Sequence, residues 1–211
     1  MKKKLLIDIE TLEIGGKTYI WEFGAIDVNT KQTYHIQNKT AIDKAIIALE
    51  TGSQVNFFGE TQAKYCKEKQ VIKLPCCQFY MAIQRLVLQY RTILAYNVNF
   101  DKGKLEQSGV KWANNTNFVC LWGSFVDCFV NAKYCVWAMQ NKYTTKSGLP
   151  STNAEIAFRY LVNPDYKHLH FALDDCFSEL AIYEAIKKRK GKWKTSGNWQ
   201  AVQSKMKKII A

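Results

Sequence analysis

The chain has 211 residues, of which 47% are apolar and 13% aromatic. That is enough to bury the core of one domain and too apolar for a disordered chain. A formal net charge of +12 points toward polyanionic partners. No apolar run approaches the roughly 20 residues of a membrane span.

The first stretch, residues 4–11, is an apolar run ending before the Gly15-Gly16 turn signal and reads as a buried strand. Alternation along a strand sends Leu5, Ile7 and Ile9 one way and Leu6, Asp8 and Glu10 the other. Two carboxylates thus share one face, where they need a cation or hydrogen bonds to stay ionised. Oxygen ligands of this kind suit a hard divalent ion; on this stretch alone, a solvated loop explains Asp8 and Glu10 equally well.

Residues 17–28 and 32–37 read as second and third strands of a meander around the turn at Asn29-Thr30-Lys31. Helical spacing follows at 41–50 and 60–70, separated by a loop at 52–59 that carries two aromatics. Pro75 suits a helix start, and 79–90 repeats apolar residues at helical spacing. Residues 92–96 form a short buried strand that passes into a helix through Asn97-Val98-Asn99-Phe100-Asp101. The segment 117–122 is a fifth strand, with a Cys- and aromatic-rich helix running on to about residue 139. A polar loop at 141–151 precedes a helix capped by Asn153, and 170–190 is a long helical segment. Meander first and alternating helices and strands afterwards fit an α/β sandwich around a mixed sheet.

Seven cysteines, none in a C-x-x-C pair, suit small core side chains in a reducing, cytoplasmic setting. Lys2-Lys3-Lys4 leads into a stretch broken by Asp8, unlike a secretory leader. Nine Lys or Arg and no Asp or Glu lie from residue 187 onward, leaving 21 basic and 18 acidic groups elsewhere. We divide the chain into a domain at 1–190 and a basic tail at 191–211, whose Trp193 and Trp199 are interleaved with lysines. Such a tail suits single-stranded nucleic acid, or else folds back as a solvated helix end.

Singly, Asp101 reads as an acid in the first turn of a helix, and His168, His170, Asp174 and Asp175 as a capped helix start. Jointly, the segments resemble the DEDDh branch of the DnaQ-like 3′–5′ exonucleases, in particular a small, phage-encoded kind of member. Asp8-Ile9-Glu10-Thr11 matches D-x-E-T, and Glu22-Phe23-Gly24-Ala25-Ile26 looks like the "EIGAV"-type second strand. Asn97 to Asp101 matches N-x-x-F-D, and His170 to Asp175 matches H-x-A-L-x-D. Phe171 stands where the related tyrosine branch has its hydroxyl, so the histidine branch fits; the five-residue offset from His170 selects Asp175 over Asp174. Leu12-Glu13 departs from the glycine many relatives carry after D-x-E-T.

The resemblance implies a ribonuclease H-like fold, a mixed five-stranded sheet flanked by helices. It implies two Mg²⁺ or Mn²⁺ ions on Asp8, Glu10, Asp101 and Asp175, with His170 as general base. Thr11, Leu12, Asn97 and Phe100 would bind substrate. The implied activity is 3′–5′ hydrolysis of single-stranded nucleic acid, DNA placed ahead of RNA, to nucleoside 5′-monophosphates. The implied partner is a nucleic-acid 3′ end, with room for a polymerase or replication partner and for a homodimer, and no membrane. The competing readings are a catalytically silent binding module of this fold and a phosphoesterase acting on small nucleotides.

Overall fold

The computed structural model describes residues 3–168 and 170–210. Two long strands, β1 (Lys4–Ile14) and β2 (Lys17–Asp27), form an antiparallel hairpin. Gly15 and Gly16 make its turn with φ of 56° and 75°, a region glycine occupies without steric cost. Trp21 bulges out of the ladder between the Glu10–Glu22 and Thr11–Ile20 pairs. β3 (Thr33–Asn38) completes the meander, and α1 (Lys39–Glu50) starts where the Asn38 side chain accepts the Ala41 N–H.

Then come β4 (Val55–Asn56), α2 (Glu60–Glu68), β5 (Ile72–Leu74) and α3 (Cys76–Val87). β6 (Thr92–Ala95) feeds α4 (Val98–Gln107), and β7 (Asn117–Cys120) feeds α5 (Leu121–Phe129). The helical region anticipated from 122 to 139 is two helices. Asn131 accepts the Tyr134 N–H and opens α6 (Ala132–Gln140) on a new axis. α7 (Ala154–Leu161), α8 (Ala172–Lys188) and α9 (Trp199–Ile210) follow.

The strand order is β5-β3-β2-β1-β6-β7, with β4 paired to β1. All five strands expected from sequence are present and adjacent, β1 to β6 and β6 to β7 being parallel. The sheet has seven strands instead of five because β4 and β5, of two and three residues, add to its margins. Segments this short carry no periodicity to detect.

One face of the sheet presents Leu5, Ile7 and Ile9 to a core with Phe79 and Ile83 of α3 and Leu105 of α4. The other presents Leu6 and Ile26 to a core built with α5 through α9. α9 sends Val202 and Met206 into that second core, both buried, so the basic C-terminal segment is packed against the domain. No helix among the described residues is long and apolar enough to cross a membrane.

Candidate active site

Asp8 and Glu10 lie on the β1 face that α8 covers. Their partners across the hairpin are Gly24 and Glu22. A Cβ on Gly24 would sit 2.4 Å from the carbonyl carbon of Ala172, so only glycine lets the first turn of α8 rest on β2. That helix has no side-chain cap of its own. Glu22, fully buried on β2, supplies one: its Oε2 accepts the Ala172 N–H at 2.8 Å. Its Oε1 accepts from Gln37 Nε2 at 2.9 Å and lies 2.8 Å from His35 Nε2. Tyr65 lies near Glu22; burial, then that carboxylate, raises its hydroxyl pKa, and its ring stacks on Phe171 at 3.6 Å. The E-x-G pair is thus the clamp that fixes α8 over the two acids.

The clamp brings Asp175 down onto β1. Ligand oxygens of Asp8, Glu10 and Asp175 all lie within 4.8 Å of one another. Asp101 arrives separately. β1 and β6 pair only from Lys4 to Leu6, and beyond that point the strands diverge. Asp101, on the first turn of α4, lies beside this open stretch, where the nearby Ile9 backbone N–H favours its ionised form. It is buried at 3% exposure and acts on Asp8 electrostatically, outside the three-carboxylate group.

A fifth acid, Glu179, is absent from the motifs. One turn beyond Asp175 on α8, it is 2% exposed beside the Tyr96 backbone N–H, and its Oε2 has no hydrogen-bond partner. An acid four residues after Asp175 on a helix whose buried face is otherwise small or apolar was the available signal.

Burial and mutual repulsion raise these carboxyls. Desolvation, then Glu179 and Asp101, pushes Asp8 well above the usual range. Desolvation and Asp175 push Glu10 up to about 9, and desolvation lifts Asp101 to about 7. Asp8 Oδ2 is buried with no hydrogen-bond partner. Oxygen-only donors, mutually repelling and left unpaired, fit a hard divalent cation such as Mg²⁺ or Mn²⁺.

His170 is exposed and left-handed, with φ of 55°. Its Nε2 lies 3.3 Å from His168 Nδ1, and His168 Nε2 in turn lies 2.5 Å from Asp175 Oδ1. Among the described residues, His168, His170 and Asp175 form a second cluster of ligand atoms within 4.8 Å. His168, which lies outside the H-x-A-L-x-D match, is therefore the imidazole in direct contact with the carboxylate. Burial, then His168, lowers the pKa of His170 below its ordinary value.

Two clefts flank Glu10. One, of about 440 Å³, is lined by Phe57, Phe58, Gln62 and His170. The other, of about 370 Å³, is lined by Thr11, Phe57, Phe100 and Lys104. Phe57 stands on the ridge between them, 75% exposed with φ of 62°. Thr11 and Phe100 thus line a cleft beside Glu10. Leu12 does not: its side chain is fully buried with Trp21 and Ala41, and it cannot meet a base. Asn97 lines a different cleft, beside Trp122 and Trp199. The loop aromatics Phe57 and Phe58 were missed as site residues; two adjacent rings between Gly52 and Gly59 were the signal.

No family model matches the chain, and no curated protein matches it in sequence. Among solved structures, the chain is similar to the Neurospora crassa Pan2 catalytic unit, described as a protease and nuclease domain, with a TM-score of 0.53 at 10% identity. The match covers 88% of this chain and 27% of that one, so the chain spans about a quarter of its length. At that identity the likeness concerns the fold: a mixed α/β sheet flanked by helices, of ribonuclease H-like type.

Proposed function

We propose that the chain is a metal-dependent 3′–5′ exonuclease of the DEDDh type, hydrolysing single-stranded nucleic acid, DNA ahead of RNA, to nucleoside 5′-monophosphates. The observation that carries this reading is the convergence of Asp8, Glu10 and Asp175 within 4.8 Å, with a buried, unpartnered oxygen on Asp8. A catalytically silent binder would have no use for so costly an arrangement.

Asp8, Glu10 and Asp175 would hold the cation pair, with Asp101 directly or through water. Two divalent ions bound there supply a water of lowered pKa and stabilise the entering and leaving oxygens of an in-line displacement. Thr11, Phe57 and Phe100 seat the terminal nucleotide beside Glu10. With its pKa lowered, His170 is neutral near pH 7 and takes the proton of the water as its oxygen bonds to the scissile phosphorus. The 3′ oxygen of the preceding nucleotide leaves with the electron pair. His168 orients Asp175 and steadies His170 through their ring contact.

The test is degradation of a 5′-labelled single-stranded DNA and a matching RNA with Mg²⁺, Mn²⁺ or EDTA, for wild type, Asp8→Ala and His170→Ala. Stepwise shortening from the 3′ end, lost in EDTA and in Asp8→Ala, is expected. Binding without cleavage under every metal would overturn the proposal and leave a nucleic-acid-binding module.

A further inference from the structure

A third cleft, of about 450 Å³, lies away from Glu10, beside Trp122 after β7 and Trp199 at the start of α9. We infer that it takes an unpaired nucleobase of the same strand, upstream of the 3′-terminal nucleotide; this rests on the proposed nuclease reading.

The cleft is built in advance. Trp122 Nε1 donates to Thr152 Oγ1 at 2.9 Å, and Tyr96 Oη donates to the Thr152 carbonyl at 2.6 Å. The segment leading into α9 is strapped down: Cys120 N–H donates to the Lys194 carbonyl, and Lys194 N–H to Ser124 Oγ. A Cβ on Gly197 would fall 2.0 Å from the Trp122 ring, so glycine lets the strap lie flat on the indole. Trp199 is held 5.9 Å from Trp122, ring centre to ring centre. That spacing is too narrow to admit a base between the rings, so a base would stack on the free face of Trp199.

Three features select a nucleobase over other flat ligands. Trp199 stays 40% exposed although Val202 and Met206 of the same helix are buried, which leaves an aromatic face open to solvent. Asn97 lines the cleft with a side chain that makes no capping bond, an amide able to pair with a base edge. One cation is close in sequence: Lys146, next to the lining residue Thr145, is exposed and joins no ion pair among the described residues. Aromatic stacking beside cationic side chains is the chemistry of single-stranded nucleic-acid grooves.

The cleft is also joined to the acidic centre. Tyr96 lines it with its backbone N–H beside Glu179, and Asn97 begins the turn that ends at Asp101. A strand entering the centre by its 3′ end would cross this wall.

The experiment measures binding of single-stranded oligonucleotides to the full chain in EDTA, with 5-iodouracil placed at each position counted from the 3′ end. A photo-crosslink to Trp199 or Trp122 from an internal position only is expected. Trp199→Leu, which keeps apolar contact with Trp122, should weaken oligonucleotide binding roughly tenfold, and Trp199→Phe should recover most of it. Cleavage of a dinucleotide, too short to reach the cleft, should be unchanged in both variants. Cleavage by wild type with equal oligonucleotide affinity in Trp199→Leu would sink the cleft and leave the nuclease standing. A Trp199-dependent crosslink without cleavage under any metal would keep the cleft and sink the nuclease. Crosslinking and tight binding by free mononucleotide or indole alone would reassign the cleft to a small aromatic ligand and overturn the inference.

Discussion

Raising the pH should destabilise the metal-free protein, and a divalent ion should cancel the loss. In the folded chain Glu10 titrates at about 9 and Asp101 at about 7, while Asp8 and Glu179 are held well above the usual range. Unfolded, all four return to ordinary carboxyl values near 4. At neutral pH the native state therefore binds more protons than the unfolded state, and stability falls as pH rises. The stabilising effect of the neutral acids is whole below the unfolded pKa values and is lost through the folded ones. One proton of difference costs about 1.4 kcal/mol per pH unit, so Glu10 alone removes roughly 3 kcal/mol between pH 6 and pH 8. For a chain of this size that is a drop in Tm on the order of 6–12 °C. Thermal unfolding in EDTA across that range, repeated with Mg²⁺ and Mn²⁺, reads the effect directly. The metal's stabilisation should grow with pH, because binding must displace the protons. Asp8→Asn should raise the EDTA melting temperature and lose the metal response. A melting temperature in EDTA no lower at pH 8 than at pH 6, or unmoved by either ion at pH 8, would refute the assignment of these acids as an unpaired cation site.

The clamp gives a second prediction. Gly24→Ala places a methyl 2.4 Å from the Ala172 carbonyl carbon and must lift α8, so the metal-induced gain in Tm should disappear even where the fold survives. Glu22→Ala leaves the Ala172 N–H and Gln37 Nε2 without their acceptor and should cost roughly 3 kcal/mol or more in urea unfolding. His170→Ala should slow cleavage on the order of 10²–10⁴-fold while the metal response in melting persists, which separates a proton acceptor from a ligand. Met206→Ala should cost about 2–5 kcal/mol by chemical denaturation, since the side chain is fully buried in the larger core. Unchanged stability there would mean that α9 does not dock.

The five principal strands were legible because each has either strict alternation or a dense β-branched run, as in Leu5 to Ile9. The carboxylates were legible through that same alternation, which fixes Asp8 and Glu10 on one face whatever the rest of the chain does. Periodicity could not show how far a helix presses onto a strand. Gly24 looked like one more motif letter, and its meaning lies in the 2.4 Å left for Ala172. Leu12 has the parity of Asp8 and Glu10, yet the strand carries it past the cleft and under α1, where it packs against Trp21 and Ile42. In the C-terminal segment the nine basic residues dominated the reading and concealed Val202 and Met206, one helical turn apart on a buried face. Strand breaks were easier to place than helix breaks: Asn131 caps a new helix inside a run whose apolar pattern is continuous.

α8 carries two carboxylate environments of opposite kind, and the contrast supports the proposed cation site. At its first residue, Glu22 is wholly buried and wholly satisfied, with donors from Ala172 and Gln37 and with His35 Nε2 at 2.8 Å. A carboxylate so supplied is structural, because its bonds rigidify the contact between helix and sheet. One and two turns farther along, Asp175 and Glu179 are as deeply buried; Asp175 meets the His168 imidazole, and Glu179 Oε2 has no partner, facing Asp8 Oδ2 in the same condition. Burying unpaired acids costs more than any fold requires, and apolar side chains of similar size would stabilise the same helix better. The satisfied acid holds the helix at a fixed height, and in the proposed site the others would need that height to meet across a cation. Glu179→Leu should therefore raise stability in EDTA and weaken the Mn²⁺-induced gain in Tm. A variant that binds Mn²⁺ as wild type does would restrict Glu179 to a packing role.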